Sequence, residues 1–368
     1  MSSRRRFLGR AAAGGAGLAF PALVGAQGTI ALRWQSAWPA SHPFHQHAID
    51  FAKRVNDMAG GALRIEVAPL GAVAAAFGLV DAVSSGKLDG AHGALVYQYT
   101  RHPAFALWGS GPSFGMDANM LLAWHKYGGG RALLARLYAA VGADVVSFLY
   151  GPRPTQPLGW FRRRIDKPED FRRLRFRAEG MSIELFRGLG ALVNPLPAAE
   201  TISALEAGLL DGAELDGAAA DRALGVAKVA KVCMLRSFHQ SAEQFEILVS
   251  KPKFDALPAQ LKAIVENAVE ACSADLAWKA VEGDSAAYET LRTEDKVGFY
   301  RTPDAVLQKE LAAYDAAAAR KRDRLFAEVE ASQKAFAARA LRWQLDNEPD
   351  RHLAYRHYFV RRAPGKRR

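Results

Sequence analysis

The chain has 368 residues, of which 50% are hydrophobic and 24% charged, a composition typical of a globular protein large enough for more than one domain. Its formal net charge of +11 is concentrated at the two ends, since four arginines lie within residues 1–26 and five basic residues follow from position 361. No basic face with interleaved aromatic residues appears, which argues against nucleic acid as a partner.

The N-terminus carries the pattern Ser-Arg-Arg-Arg-Phe-Leu (3–8), followed by a short stretch of small and apolar residues. This pattern is typical of a twin-arginine export signal. A membrane anchor is the other interpretation, but the stretch is rich in glycine and interrupted by Pro21. We therefore expect a signal peptide over residues 1–26 and a periplasmic mature protein that begins near Gln27.

The next segments predict a β-α-β unit. Residues 29–34 and 63–69 alternate between apolar and polar side chains, as half-buried strands do. Between them lies a helical stripe, and Gly60 marks its end. The stripe consists of Phe44, Ala48, Phe51 and Val55. Three histidines at the start of this helix have no carboxylate or cysteine set beside them, so they are interpreted as surface residues: His42, His45 and His47.

One phrase occurs twice in the chain. The letters G-x-L-D-G-A span 86–91 and again 208–213, each time after a predicted helix and before a predicted strand. Generic turn chemistry is one explanation, and two similar α/β lobes are the other, which the matching context favours. The second copy leads directly into Glu214. Because ligands of open α/β sheets bind beyond the strand ends, this carboxylate is expected at a cleft between lobes.

The C-terminal third reads as helical. One amphipathic helix is predicted from about residue 257, a second long one over 305–343, and a disordered basic tail over 346–368. The long helix either packs on its own chain or docks on a second subunit. Cys233 and Cys272 either pair or remain free thiols, and the absence of a C-x-x-C motif argues against a zinc or thiol-redox role.

Several longer stretches together carry a family resemblance. They are WQSAWPASHP (34–43), FAKRVNDMAGGALRIEV (51–67), SGKLDGAHG (85–93), PAFALWGSGPSFGMDANMLLAWHKYGGG (103–130), QPLGWFRRRIDKPEDFRRLRFRAEG (156–180) and EAGLLDGAEL (206–215). On these stretches the chain resembles the solute-receptor subunit of TRAP (tripartite ATP-independent periplasmic) transporters. The resemblance is strongest to the branch that binds 2-oxo and 2-hydroxy carboxylates together with a metal ion.

The resemblance implies an α/β fold, that of a two-lobed, type II-like periplasmic binding protein with hinge strands and a long C-terminal helix. The implied division places the first lobe at 27–150 and the second at 151–244. The chain would return to the first lobe with helices over 245–304, and the long helix would occupy 305–345.

The resemblance also implies the site. Arg177 matches the arginine that clamps the substrate carboxylate, and a guanidinium fork suits that task. The positions matching the metal ligands are Gln156, Glu214, Leu215 through its backbone carbonyl, and Gln240, for sodium or calcium; Gln156 is also expected to contact the substrate. Three first-lobe aromatics are either pocket walls or plain core: Trp38, Tyr97 and Tyr99. The chain departs from the family pattern at Leu215 and Asp216, which makes the pocket wall more aliphatic and adds a carboxylate.

Two function classes follow. The first is a receptor that closes over a small 2-oxo or 2-hydroxy monocarboxylate and presents it to the small and large membrane subunits of a transporter, with a homodimer through the C-terminal helix as an open alternative. The second is an exported metal-dependent enzyme acting on small organic acids. The sequence offers no nucleophile and base in a catalytic pattern, so the receptor is favoured.

Overall fold

The computed structural model describes residues 28–360, so the predicted signal peptide (1–26) and the last eight residues of the predicted tail lie outside it. The described chain contains eleven strands, β1 (Ile30–Ser36), β2 (Leu63–Ala68), β3 (Gly90–Gly93), β4 (Val145–Arg153), β5 (Gly159–Phe161), β6 (Arg175–Arg177), β7 (Leu192–Asn194), β8 (Gly212–Ala213), β9 (Val232–Leu235), β10 (Glu243–Ser250) and β11 (Gly298–Arg301). It also contains twelve α-helices, α1 (Pro43–Ala59), α2 (Leu79–Ser84), α3 (Ala118–Tyr127), α4 (Gly130–Ala140), α5 (Ser182–Gly188), α6 (Ala198–Glu206), α7 (Ala218–Leu224), α8 (Lys251–Ala256), α9 (Ala259–Thr293), α10 (Asp304–Ala318), α11 (Arg324–Asn347) and α12 (Arg351–Phe359).

The first sheet has the strand order β2-β1-β3-β10-β4. Strand β1 pairs in parallel with β2 and β3, and β10 is antiparallel to β3 and β4. The predicted β-α-β opening is therefore confirmed: helix α1 buries its apolar stripe, and Gly60 ends it in a left-handed conformation at φ 55°. This sheet and its packed helices are called the first unit.

The second sheet has the order β11-β9-β5-β8-β6-β7. Strand β6 is parallel to β7 and β8, while β5 is antiparallel to β8 and β9. Aromatic rings fill the space beside it, including the stacked pair Phe161 and Phe176 with ring centroids 5.4 Å apart. This sheet and its helices are called the second unit.

Three elements join the two units. Strands β4 and β10 pair along their length, from Val145 opposite Ser250 to Arg153 opposite Glu243, and their far ends reach the second unit. Helix α9 has 35 residues, about 52 Å of helix, and contacts α1 and β4 of the first unit as well as α7 of the second. The predicted two-part α/β fold is confirmed.

The second sheet corrects one predicted boundary. The segment 245–304 was expected to return to the first lobe, but its last strand, β11, pairs in parallel with β9 of the second sheet. Likewise β4 continues to Arg153, past the expected boundary at 150. Both differences arise because the joining elements belong to both units, which a linear division of the chain does not express.

The C-terminal region differs from the expectation in two places. The long helix is present as α11, but the alanine-rich segment before it forms a separate helix, α10. The chain breaks between them because the Asp323 side chain caps α11, accepting a hydrogen bond from Phe326 N at 2.7 Å. Part of the expected disordered tail is helical, since α12 is capped by Asp350, which accepts from His352 N at 2.8 Å.

The two cysteines are both buried free thiols, so the open question of their pairing is answered for this structure. No helix within residues 28–360 is both long and apolar enough to span a bilayer.

Candidate functional site

A small cavity lies between the two units, beyond the ends of β4, β6 and β8. Its free volume is about 20 Å³, room for a single water molecule. Open grooves of about 570 and 620 Å³ lie on the outer surface of the first unit, but the most deeply buried ion pairs lie at the small cavity. The cavity is lined by Trp38, His42, Phe44, Tyr97, Arg153, Gln156, Arg177, Glu179, Ala198, Leu215, Asp216, Leu224, Gln240 and Glu243.

Arg177 ends strand β6 and is buried, with 2% of its surface exposed. The parallel pairing of β6 with β8 sets Arg177 beside Ala213, the residue before Glu214. Its Nε donates to the Leu196 carbonyl at 2.8 Å, and its Nη1 donates to the Glu214 carbonyl at 3.0 Å and to Glu214 Oε1 at 3.3 Å. Its Nη2 forms an ion pair with Glu179. The guanidinium is thus fixed in orientation at the cavity wall.

Glu214 lies directly behind that wall. Its Oε1 accepts a hydrogen bond from the backbone N–H of Glu179 at 2.7 Å, and its Oε2 lies 2.8 Å from Nε2 of the fully buried His239. The structure therefore brings Arg177 and Glu214 together, although Glu214 reaches the cavity only through its neighbours.

The other predicted metal ligands line the cavity. Gln156 N–H donates to the Gln240 carbonyl at 3.2 Å, and the Leu215 backbone continues from Glu214 along the same wall. The side-chain oxygen of Gln156 is buried and has no hydrogen-bond partner among the described residues. Three or more His, Cys, Asp or Glu side chains arranged to hold a metal are not found within residues 28–360. A metal here would depend on amide and backbone oxygens, which suit hard cations.

Of the three predicted pocket aromatics, two line the cavity and one does not. Trp38 and Tyr97 line the cavity, and burial raises the pKa of the Tyr97 hydroxyl well above its usual range. Tyr99 does not line the cavity. Its hydroxyl instead contacts Glu184 and accepts from Lys321 Nζ at 2.9 Å, so the expectation of Tyr99 as a pocket residue is wrong.

The interpretation of the three helix-start histidines as surface residues is wrong for two of them. His42 and His45 are buried, and His42 lines the cavity. His42 is the N-cap of α1, accepting from Phe44 N at 3.1 Å, and burial lowers its pKa to about 4. The signal was present in the sequence, since a polar residue directly before Pro43 is a helix N-cap pattern.

Sequence reasoning missed a second arginine in the cleft. Arg153 forms ion pairs with Glu243 and, at 2.5 Å, with Asp216 of the second unit. Its guanidinium lies 4.8 Å and 5.0 Å from the ring centroids of Phe44 and Phe245. These four partners come from three distant segments of the chain, so only the position of Arg153 at a strand end, where ligands bind, could have indicated the site.

The cleft holds more carboxylates than guanidinium groups. Arg153 and Arg177 face four acidic side chains, those of Glu179, Glu214, Asp216 and Glu243. Burial raises the pKa of Glu179 to about 7 against the opposing charge of Arg177, and that of Glu243 to about 8 against the charge of Arg153. The site is therefore short of positive charge or hydrogen-bond donors.

Comparison with known proteins adds to this geometry. The model of the bacterial extracellular solute-binding protein family 7 matches residues 35–322. A curated relative from a Nostoc species, a monocarboxylate 2-oxoacid-binding periplasmic protein, is 30% identical over 239 residues. That alignment covers 64% of this chain and 65% of the relative, slightly under two thirds of the relative's own length.

Two solved structures resemble this fold closely. A TRAP transporter solute-binding protein from Bordetella bronchiseptica, a mixed-occupancy dimer with copurified calcium and picolinate, has a TM-score of 0.82 at 25% identity, covering 87% of this chain and 95% of that one. A TRAP periplasmic solute-binding protein from Pseudoalteromonas atlantica, with bound sodium and pyruvate, has a TM-score of 0.82 at 26% identity, covering 90% and 99%.

Proposed function

Because the chain belongs to bacterial extracellular solute-binding protein family 7, we propose that it is the periplasmic receptor of a TRAP transporter that binds a small 2-oxo or 2-hydroxy monocarboxylate. The observation that carries this proposal is the buried Arg177 guanidinium, fixed at a cavity between two α/β units. A buried guanidinium binds a carboxylate through charge-assisted hydrogen bonds that water does not weaken. The relatives that bind 2-oxo acids or pyruvate support the ligand class.

The size of the cavity bears on how the ligand enters. About 20 Å³ is too small for an acid of three carbon atoms, so binding requires that the side chains or the units move apart. We place the hinge at the paired strands β4 and β10, with lobes that correspond to residues 27–150 and 151–244 apart from the joining elements. Closure over the ligand would then give membrane subunits a surface that differs between loaded and empty receptor.

The oxygen atoms at the cavity fit a sodium or calcium ion. We propose that Gln156, Glu214, the Leu215 carbonyl and Gln240 hold it. The unpartnered Gln156 oxygen supports this assignment, and so does the excess of two carboxylates over guanidinium groups. The cleft already holds an excess of carboxylates, and the substrate would add another negative charge. The ion would supply the positive charge that this addition requires. Gln156, Trp38 and Tyr97 would contact the substrate beside Arg177.

Delivery and assembly follow from the same proposal. The twin-arginine pattern at residues 3–8 would export the receptor, and the small and large membrane subunits would accept its ligand. Helices α11 and α12 expose large apolar side chains, including Trp343, Tyr355 and Phe359, each more than 60% exposed. We propose that these side chains pack against a second copy of the chain, because isolated exposed aromatic clusters usually mark interfaces. Family 7 proteins are receptors, and binding without turnover is expected.

The test is calorimetry of the mature chain with pyruvate and a panel of other small carboxylates, each with calcium, with sodium and after EDTA treatment. We expect stoichiometric binding without product, which EDTA weakens if the ion is calcium and leaves unchanged if it is sodium. A sugar acid or an amine that bound instead of every 2-oxo and 2-hydroxy acid would overturn the proposal. Product formation would instead support the metal-dependent enzyme.

A further inference from the structure

The guanidinium that would bind the substrate is already paired with a carboxylate of the same chain. Arg177 Nη2 is paired with Glu179, whose side chain lines the same cavity. The remaining donors of Arg177 face inward, to the Leu196 carbonyl and to Glu214. A ligand carboxylate that binds Arg177 from the cavity must therefore share this fork with Glu179.

The backbone holds Glu179 in this place. Its N–H donates to Glu214 Oε1 at 2.7 Å. The next residue, Gly180, has φ 57° and packs against the first unit, where a Cβ would lie 2.4 Å from Val96 Cγ2 and 3.0 Å from Ser110 Oγ. With both sides of the residue fixed, the Glu179 carboxylate stays at the cavity when the side chain rotates away from Arg177.

A ligand that displaces Glu179 from Arg177 leaves a buried carboxylate in need of a donor. Within residues 28–360, Arg177 is the one cation paired directly with the Glu179 carboxylate, and the other guanidinium that acts on it, that of Arg153, is held by Asp216 and Glu243. Glu214 and Glu243 lie near Glu179 as further acidic groups and offer it no donor. An unpaired buried acceptor costs free energy that a donor on the ligand would recover.

We propose that Glu179 is a specificity-determining residue, which selects 2-oxo or 2-hydroxy acids that carry a further hydrogen-bond donor, a hydroxyl or ammonium group, over the unsubstituted acids. This inference rests on the proposed function of the same site. The ligand carboxylate takes the cavity side of Arg177, and its donor group binds the Glu179 carboxylate that has been displaced. A plain monocarboxylate makes the first contact only and leaves the displaced Glu179 carboxyl group without a partner.

The experiment compares a matched pair of ligands, pyruvate and 3-hydroxypyruvate, which differ by one hydroxyl group. Calorimetry with the metal concentration held constant gives both dissociation constants for the wild type, Glu179→Gln, Glu179→Asp and the control Glu246→Gln. Glu246 is another buried glutamate, which lies in the first sheet and does not line the cavity. Circular dichroism and thermal melting verify that each variant is folded.

We expect the wild type to bind 3-hydroxypyruvate at least about tenfold more tightly, the worth of one charge-assisted hydrogen bond. In Glu179→Gln this ratio should fall toward one, chiefly because pyruvate no longer competes with the Glu179 carboxylate for Arg177 and therefore binds more tightly. Glu179→Asp keeps the carboxylate but withdraws it by one methylene group. Pyruvate binding should therefore stay weak, while the preference for 3-hydroxypyruvate over pyruvate becomes smaller. Glu246→Gln should keep the wild-type ratio.

Two results would overturn this inference: a wild type that binds both ligands equally, or a preference that Glu179→Gln leaves unchanged. A wild type that binds neither these two ligands nor any other small 2-oxo or 2-hydroxy acid, with either metal, would instead overturn the proposed function. The two failures are therefore distinguishable in one set of titrations.

Discussion

The two copies of G-x-L-D-G-A build the same turn in the two units. Gly86 and Gly208 follow α2 and α6 at φ 75° and 71°, a left-handed conformation that favours glycine. The carboxylates of Asp89 and Asp211 accept from the backbone N–H groups of Arg33 at 2.9 Å and Arg175 at 3.0 Å. Each aspartate N–H in turn donates to the carbonyl of the same arginine.

The residues that follow these turns differ in charge. In the first unit, β3 pairs with β1 so that Ala91 lies beside Gln35, and the chain continues to His92. In the second unit, β8 pairs with β6 so that Ala213 lies beside Arg177, and the chain continues to Glu214. One scaffold therefore carries a neutral amide and an imidazole in one unit, and a guanidinium and a carboxylate in the other.

The neutral pair, Gln35 and His92, forms hydrogen bonds within the first unit. Gln35 accepts from Val73 N–H at 2.7 Å and donates to the Ala74 carbonyl at 2.7 Å, while His92 contacts the Tyr150 hydroxyl. Burial lowers the pKa of His92 well below its usual range, so this imidazole stays neutral. The difference teaches that the repeated turn is structural, and that the strand-end residue types decide which unit places a guanidinium at its strand ends.

The largest expected effect comes from removing the charged member of this comparison. Arg177→Ala leaves Glu179 and Glu214 buried without their cation, so we expect the free energy of unfolding to fall by about 3–5 kcal/mol. Loss of the charge-assisted contact between this guanidinium and the ligand carboxylate should weaken pyruvate binding by at least about tenfold. Urea unfolding and calorimetry measure the two effects separately.

The control for this variant lies in the first unit. Gln35→Ala removes hydrogen bonds to the loop at 73–74, and should cost about 1–2 kcal/mol of stability while binding stays within about threefold. The double variant Arg177→Gln with Glu179→Gln should recover stability but not affinity. Full affinity in Arg177→Ala would remove this residue from the site, and full stability would show that the buried carboxylates find other partners.

A buried carboxylate in the first unit sharpens the comparison, because hydroxyl groups rather than a guanidinium surround it. Glu246 Oε1 accepts from Tyr138 at 2.5 Å and Ser147 at 2.6 Å, and burial raises its pKa from 4.5 to about 7. The folded state thus holds the proton more tightly than the unfolded state. This contribution to stability is complete below pH 4.5 and is lost as the pH rises to about 7, a change of about 3 kcal/mol.

Comparison of the wild type with Glu246→Gln isolates that contribution. The difference in free energy of unfolding between the two proteins should shift by about 3 kcal/mol in favour of the variant between pH 4.5 and pH 8, since glutamine does not titrate. Other buried carboxylates titrate in both proteins, so their effects cancel in the difference. Parallel stability curves for the two proteins would show that Glu246 has an ordinary pKa.

Local patterns were enough to predict much of this fold. The alternating segments around β1 and β2, the stripe of α1 and the repeated turn were read from spacing alone, and the turn residues adopt the conformations that their types favour. The break between α10 and α11 was missed, because the charged run at 320–323 that separates the two alanine-rich helices contains neither glycine nor proline. Only the cap at Asp323, a weak signal inside a charged run, marks it.

The site was less predictable than the fold. The family resemblance brought Arg177, Glu214, Gln156 and Gln240 to one place, because these residues follow strands whose order it implies. Arg153 was missed, since its partners Asp216 and Glu243 come from separate segments that only tertiary packing unites. Such long-range ion pairs leave no periodic trace in the sequence.

The smallest expected effects concern the glycines that begin β3 and β8. A Cβ on Gly90 would lie 2.3 Å from Trp34 Cε2 and 2.7 Å from the Leu248 carbonyl oxygen, and a Cβ on Gly212 would lie 2.6 Å from Phe161 Cδ1. Both alanine substitutions force a ring or the backbone to shift, which costs about 1–3 kcal/mol. We expect Gly90→Ala to cost more, because its Cβ would approach the ring and the neighbouring carbonyl to 2.3 and 2.7 Å, against 2.6 and 2.9 Å at Gly212.

Urea unfolding of the two variants, combined with calorimetry of ligand binding, tests whether the two turns contribute to stability and to binding in the same way. If both glycines serve only close strand packing, both variants lose stability while the wild-type ratio of pyruvate to 3-hydroxypyruvate affinity is kept. Gly212 lies two residues from Glu214, so a shift of β8 would also move that carboxylate against Arg177. If Gly212→Ala lost much of its affinity for pyruvate while Gly90→Ala kept the wild-type affinity, the second turn would position the site as well as the strand.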